Sequence, residues 1–254
     1  MSTLQPEITL IGPPMAPPVE LQRWLMQIHG IAYAFQPRAA GLHAFQQRRL
    51  GMPVELPLIL TPAGPIGGLR PSLAALEAHI QSKGDSLFPR HGDAAWVDAL
   101  VTPLFPAAVK SFYAPMLETP SVLAPKASSG VPVLDALVVR LAFPFWKKLM
   151  RAGLKLDDFD PAAARATIDG IFNAVADELG DRQFLQTDAP GIRDIVFAVL
   201  ASPVILPKGH PADLPAIADL PAEFRALVEQ CRAHPAGILA QRVYDRRAET
   251  PAVR

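Results

Sequence analysis

The chain has 254 residues, 50% hydrophobic and 19% charged, with 24 basic against 24 acidic side chains. This composition can bury a substantial core, which excludes a disordered chain, and it provides no overall basic field to gather nucleic acid or anionic lipid. The single cysteine, Cys231, excludes an intrachain disulfide, and no CxxC or Cys/His cluster points to zinc.

The start MSTLQPE lacks a basic region followed by an apolar run, so no signal peptide is expected and a cytoplasmic protein is. EITLIG, residues 7–12, predicts a short strand that runs into a Pro-rich turn. Pro17 and Pro18 can begin a helix, because proline in the first turn forfeits no hydrogen bond. Leu21, Trp24, Leu25 and Ile28 then recur at helical spacing, and Gly30 stands where a helix would end. A second strand is expected over 31–35, followed by a polar stretch with His43 and Gln46-Gln47-Arg48-Arg49, read as a solvated loop or helix face.

A third strand is expected over 55–60 and a short fourth over 65–67, after which Ser72 is expected to open a helix reaching about Gln81. The order β-α-β-α-β-β-α describes a compact α/β sandwich. Beyond Asp85 strand signals disappear. Helical patterns follow over about 93–117, 132–153, 161–180, 191–205 and 222–244, with a Pro- and Ser-rich loop or lid at 118–132. The apolar run 131–154 is interrupted by Asp135, Arg140, Pro144, Lys147 and Lys148, so it reads as a buried helix rather than a membrane span. Two domains are expected, 1–84 and 85–254, the second all-helical.

Three segments carry a resemblance. LPLILTPAGPIGGLRPSLAALEAHI, residues 56–80, is similar to the "hydrophobic, Pro, strand, Gly turn, strand, Ser, helix" segment of the glutathione S-transferase family. HGIAYAF, residues 29–35, resembles that family's entry to its second strand, and GDRQFLQTDAPGIRDIVFAVLASPVI resembles its helical-domain signature. The resemblance covers nearly the whole chain and implies a thioredoxin-like domain followed by an all-helical domain. It also implies a glutathione site, a hydrophobic second site between the domains, and a homodimer.

Carried over residue by residue, the resemblance puts Pro57 at the family's cis-proline. Leu56 would then present its backbone N–H and C=O to the cysteinyl part of glutathione. Ser72 matches the serine that meets the γ-glutamyl carboxylate at a helix N-terminus; its other reading is a plain N-cap. Family sequences usually place Glu, Asp or Gln just before that serine, where this chain has Pro71, preceded by Arg70. Arg70 would oppose the γ-glutamyl ammonium. The largest departure is at the sulfur: Ala16 takes the place of the thiol-activating Ser or Cys, and Leu10 or Ile11 the place of the alternative Tyr. No side chain there can lower a thiol pKa by hydrogen bonding, which leaves backbone N–H groups at the first helix as the remaining donors.

Among the aromatic residues of the helical half, Phe112, Tyr113 and Trp146 are the candidates for an apolar pocket. Asp194 is expected to cap a helix from the third position behind Gly191, a folding role. The six histidines show no i, i+4 metal spacing and no paired carboxylate, and Cys231 reads as a buried helical cysteine despite Arg232 and His234 nearby. The expected function is therefore a divergent glutathione S-transferase-like protein that binds a hydrophobic small molecule, with weak or atypical glutathione-dependent activity. The alternative is a non-catalytic carrier or an assembly scaffold.

Overall fold

The computed structural model describes residues 7–249 of the chain. Residues 1–6 and 250–254, the outer ends of the two expected domains, lie outside the described residues. Strand β1 (Thr9–Gly12) leads into helix α1 (Pro17–Ile28), then strand β2 (Ala34–Pro37) and the short helix α2 (His43–Arg49). Strands β3 (Leu58–Thr61) and β4 (Gly64–Gly67) form a hairpin that feeds helix α3 (Leu69–Gln81). The sheet order is β2-β1-β3-β4, with β1 parallel to β2 and the other two pairs antiparallel. Leu10 faces Ile59 in the register, and Leu10, Ile11 and Leu58 are fully buried, so the strand pattern read from the sequence forms the sheet core.

Strand β2 starts three residues later than expected. Gly30 ends α1 with φ +63°, and the Ile31 N–H is taken by the Met26 carbonyl, so the chain is still leaving the helix at that point. Helix α3 opens at Leu69 rather than Ser72, with Gly68 as its N-cap. Pro71 stands within its first turn, where its missing N–H costs nothing, so the helix extends one turn ahead of the serine.

The helical half comprises α4 (Asp93–Met116), α5 (Pro120–Ala127), α6 (Val133–Leu141), α7 (Phe143–Leu154), α8 (Pro161–Leu179), α9 (Ile192–Ile205), α10 (Ala222–Ala233) and α11 (Pro235–Glu249). Helix α5 occupies the stretch expected as a loop. Pro120 starts it without loss, and Leu123, Ala124 and Ala127 share a buried face. The single helix expected over 132–153 is two, because Pro144 lacks the N–H that would bond the Arg140 carbonyl and the chain breaks at Ala142. Likewise Pro235 splits the helix expected over 222–244, with His234 in extended backbone before it.

Helix α9 is the axis of the core. From Ile195 to Ala201 every residue is buried, and it packs on α4, α11 and α1. Asp194 accepts from the Gly191 N–H at 2.9 Å and from the Leu185 N–H at 2.8 Å, so it caps α9 and also pins the preceding loop. Glycine has no side chain to return the bond, and half of a capping box is present.

A buried charged cluster joins the two halves. Glu20 of α1, fully buried, accepts from the Tyr244 hydroxyl and from Arg247 at 2.8 Å each, and pairs with His210 Nε2 at 2.5 Å. Burial acts to raise the Glu20 carboxyl, but His210, Arg247 and Tyr244 together hold it below its usual 4.5. His210 thus has the carboxylate partner that its sequence neighbourhood does not reveal. The Cys231 thiol is pushed up to about 12 by burial, so neither Arg232 nor His234 activates it.

Candidate functional site

A cavity of about 560 Å³ lies where the sheet side of the molecule meets the helical side. One wall comes from the start of α1 (Met15, Ala16, Pro17) and from Glu55, Leu56, Gly68 and Leu69. The facing wall comes from Phe105, Val109 and Tyr113 of α4 and from Leu149, Met150 and Leu154 of α7. Two of the α2-side residues, His43 and Arg48, close one end. A cleft of this size between two packed layers suits a small-molecule ligand, with a mostly apolar lining and few polar groups to orient it.

Two contacts fix the position of the α6–α7 wall. Asp135, buried at the start of α6, accepts from Arg38 Nε at 2.8 Å and Nη2 at 3.0 Å, and from the Ala39 N–H at 2.9 Å. Trp146 of α7 donates from Nε1 to the Ala40 carbonyl at 2.8 Å. Between them Gly41 sits at φ +79°, with Leu149 so near that a Cβ at residue 41 would come within 3.0 Å of it. The close approach of the loop to α7 and the left-handed backbone both require glycine there.

The residues that the sequence singles out are distributed unevenly around this cleft. Leu56 lines it, and the Leu56–Pro57 bond is cis. Neither backbone group of Leu56 has a hydrogen-bond partner among the described residues. Ala16 lines it as the N-cap of α1. Tyr113 lines it and carries the only hydroxyl on the walls. Burial pushes the Tyr113 phenol well above its usual value of 10, so it stays protonated and can only donate or accept as a neutral group. Phe112 packs edge-on to Tyr113 and Phe224 in the core, and Trp146 is fully buried.

Ser72 stands in the second turn of α3. Its N–H goes to the Gly68 carbonyl at 3.1 Å, its hydroxyl donates to the Leu69 carbonyl at 2.8 Å, and the side chain is fully buried. The free N–H groups of this helix start earlier, next to Gly68. Arg70 turns away from the cleft, pairing with Asp98 and donating to Thr102 Oγ1 at 2.6 Å, so it does not oppose an ammonium in the cleft.

The first turn of α1 itself offers nothing to a sulfur. Pro17 and Pro18, its first two residues, have no N–H. The Val19 N–H is taken by the Ala16 carbonyl at 3.0 Å, and the Ala16 N–H by the Pro13 carbonyl at 3.1 Å. Of the N–H groups around the start of α1, that of Met15 on the cleft wall has no partner among the described residues, so the backbone route to thiol activation narrows to it.

Two polar groups were not legible from the sequence. Glu55 packs against Gly68, where φ is +92° and a Cβ would collide with the carboxylate, so its charge sits beside the positive end of α3. Its place immediately before Leu56-Pro57 was the available signal. His43 is buried rather than solvated, because Ala39, Ala40, Leu42 and Ala44 around it are drawn into the core. Burial lowers its pKa to about 4, and the Arg38 charge adds to that against a hydrogen bond with the Ala39 backbone. It is a neutral imidazole, and its Nδ1 has no partner among the described residues.

No family model matches the chain, and none of the curated proteins does. Solved structures do. A glutathione S-transferase from Rhodospirillum rubrum F11 is 16% identical with a TM-score of 0.51, over 97% of this chain and 90% of its own. The theta class enzyme of Xanthomonas axonopodis pv. citri, solved with glutathione bound, is 17% identical over 98% of this chain and all of its own, with a TM-score of 0.48. FzlA from C. crescentus is 15% identical over 91% of this chain and 90% of its own, with a TM-score of 0.44. The Rhodospirillum match spans the four-stranded sheet and the helical half alike. This chain has the glutathione S-transferase fold, a thioredoxin-like domain followed by an all-helical one.

Proposed function

We propose that the protein binds a hydrophobic small molecule in the cleft between its two domains, and that its glutathione-dependent chemistry is weak or atypical. The observation that carries this reading is the pairing of an apolar cleft of about 560 Å³ with a first turn of α1 that has no side-chain or free N–H donor to offer. Thiol activation needs hydrogen bonds or charge at the sulfur, and Ala16, Pro17 and Pro18 supply neither. Leu56, with its unpaired N–H and C=O on the cleft wall, supports the pairing of a peptide-like ligand in the manner of an added strand. Glu55 supplies a carboxylate for the γ-glutamyl ammonium at the place where Pro71 supplies none. It also crowds the positive end of α3, which weakens that end for the neighbouring carboxylate.

A carrier or scaffold that has abandoned glutathione chemistry is the second reading, favoured by Ala16. The two separate in one experiment. Calorimetry is run with glutathione, with S-hexylglutathione, and with an apolar ligand of similar size that has no peptide. Weak glutathione binding, strengthened roughly ten- to a hundredfold by the hexyl chain, supports the first reading. Binding of the apolar ligand alone, with neither glutathione compound bound, supports the carrier. Absence of all three overturns the cleft as a ligand site. A homodimer formed between the first domain of one copy and the second of another is also proposed, and light scattering at micromolar concentration tests it.

A further inference from the structure

The run 131–154, expected as a buried helix, is instead split in two with much of its apolar surface outside. Half of the exposed large hydrophobic side chains among the described residues fall within Val133–Phe145. Leu134 is 76% exposed, Leu137 45% and Leu141 79%, at spacings of three and four that place them along one side of α6, and Phe145, 56% exposed, follows just past the break at Ala142. Soluble monomers rarely leave a large contiguous apolar face uncovered, so a cluster of exposed leucines on one helix points to a docking role.

The surrounding charge identifies the occupant. Although the whole chain is neutral, residues 118–158 carry Lys126, Arg140, Lys147, Lys148, Arg151 and Lys155 against Glu118, Asp135, Asp157 and Asp158. Asp135 is buried and committed to Arg38. Lys126, Lys147 and Arg151 have carboxylate partners, whereas Arg140, Lys148 and Lys155 are exposed with none among the described residues. A second copy docking through this face about a two-fold axis would bring like charges together, which disfavours it. An anionic lipid surface meets both requirements, taking the leucine and phenylalanine side chains below its headgroups and the basic side chains against them.

We propose that the α6–α7 hairpin is a peripheral membrane-docking element for anionic bilayers, lying in the interface without spanning it. Among the described residues no helix is long and apolar enough to cross a membrane. The clamps at Asp135 and Trp146 hold the hairpin against the α2 loop, so docking needs no rearrangement of the fold. Helix α7 also lines the cleft through Leu149 and Met150, and Leu149 follows the exposed Phe145 by one turn on the same face, so the docked surface borders the site.

The test is co-sedimentation of the full chain with vesicles of phosphatidylcholine alone and of phosphatidylcholine mixed with phosphatidylglycerol. Binding should favour the anionic vesicles by about tenfold or more and fall as salt is raised. Lys148→Glu should weaken it roughly fivefold or more. Leu134→Asp with Leu141→Asp should weaken it by about a hundredfold with circular dichroism unchanged, since both side chains are exposed. Failure to sediment with anionic vesicles, or sedimentation indifferent to the double substitution, overturns the proposal. So does a dimer in light scattering that Leu141→Asp splits while vesicles take up no protein, because a second copy then covers the face.

Discussion

His43 gives the sharpest test of the cleft's electrostatics. The imidazole is buried, and its pKa falls from 6.5 to about 4 because burial and the Arg38 charge both penalise its cation. The unfolded chain therefore takes up a proton at a pH where the folded chain does not. The stability that the neutral ring represents is complete above about pH 6.5 and is lost as pH falls from there toward 4. A shift of this size corresponds to roughly 3 kcal/mol in full, and to about 2 kcal/mol already at pH 5. Glu20 acts in a separate window. Its depressed pKa contributes stability that is present above 4.5 and is lost only below it. Urea unfolding of the native chain and of His43→Gln at pH 7.5, 6 and 5 isolates the histidine. The native chain should lose about 2 kcal/mol across that range and the variant less than about 0.5 kcal/mol. Parallel losses in both proteins would mean that His43 is protonated in the folded state, and the burial argument for this end of the cleft would fail.

Three further outcomes follow from the same geometry. Ala16→Ser places a hydroxyl at the α1 N-cap on the cleft wall; transfer of glutathione to an aryl halide, near background in the native chain, should rise about tenfold or more in a steady-state assay. Asp135→Ala leaves Arg38 and the Ala39 N–H without their acceptor, and should cost on the order of 2–4 kcal/mol by chemical denaturation while loosening the cleft wall. Asp93, fully buried, accepts from Arg193 at 2.8 Å, from Gln186 at 2.6 Å and from the Arg90 N–H at 3.0 Å, so Asp93→Ala leaves three donors unmet, although Arg193 keeps Glu178, and should cost about 2–4 kcal/mol by urea unfolding.

The sheet and the start of α1 were readable because local chemistry fixes them: β-branched strands, Pro17-Pro18 at a helix start, and Gly30 at its end. The α6–α7 break was readable in principle at Pro144, but helical periodicity on both sides of it outweighed the one proline. Burial was harder to read. Periodicity marks an apolar face without saying whether another element covers it, so the leucines of α6 passed for core. His43 erred the other way. Its polar neighbours in sequence suggested solvent, while the α2 loop and α7, more than a hundred residues apart, close over it. Ser72 illustrates a third limit: the same residues fit a helix start one turn earlier, and only the observed hydrogen bonds place its hydroxyl inside the helix. Glu55 belongs with these, since its significance lies in meeting Gly68 across the hairpin.

The Glu20 cluster bears on how the molecule is made. The carboxylate on the first helix waits for Tyr244, 224 positions later, and Arg247, 227 later. Until those residues leave the ribosome, the α1 face that carries Glu20 and Trp24 stays in water, because Tyr244 and Arg247, which cover it, lie on the last helix and not on the sheet. An amino-terminal half synthesised alone should therefore remain loosely packed around α1. Sheet and last helix should reach their final state together, as one cooperative step at the end of synthesis.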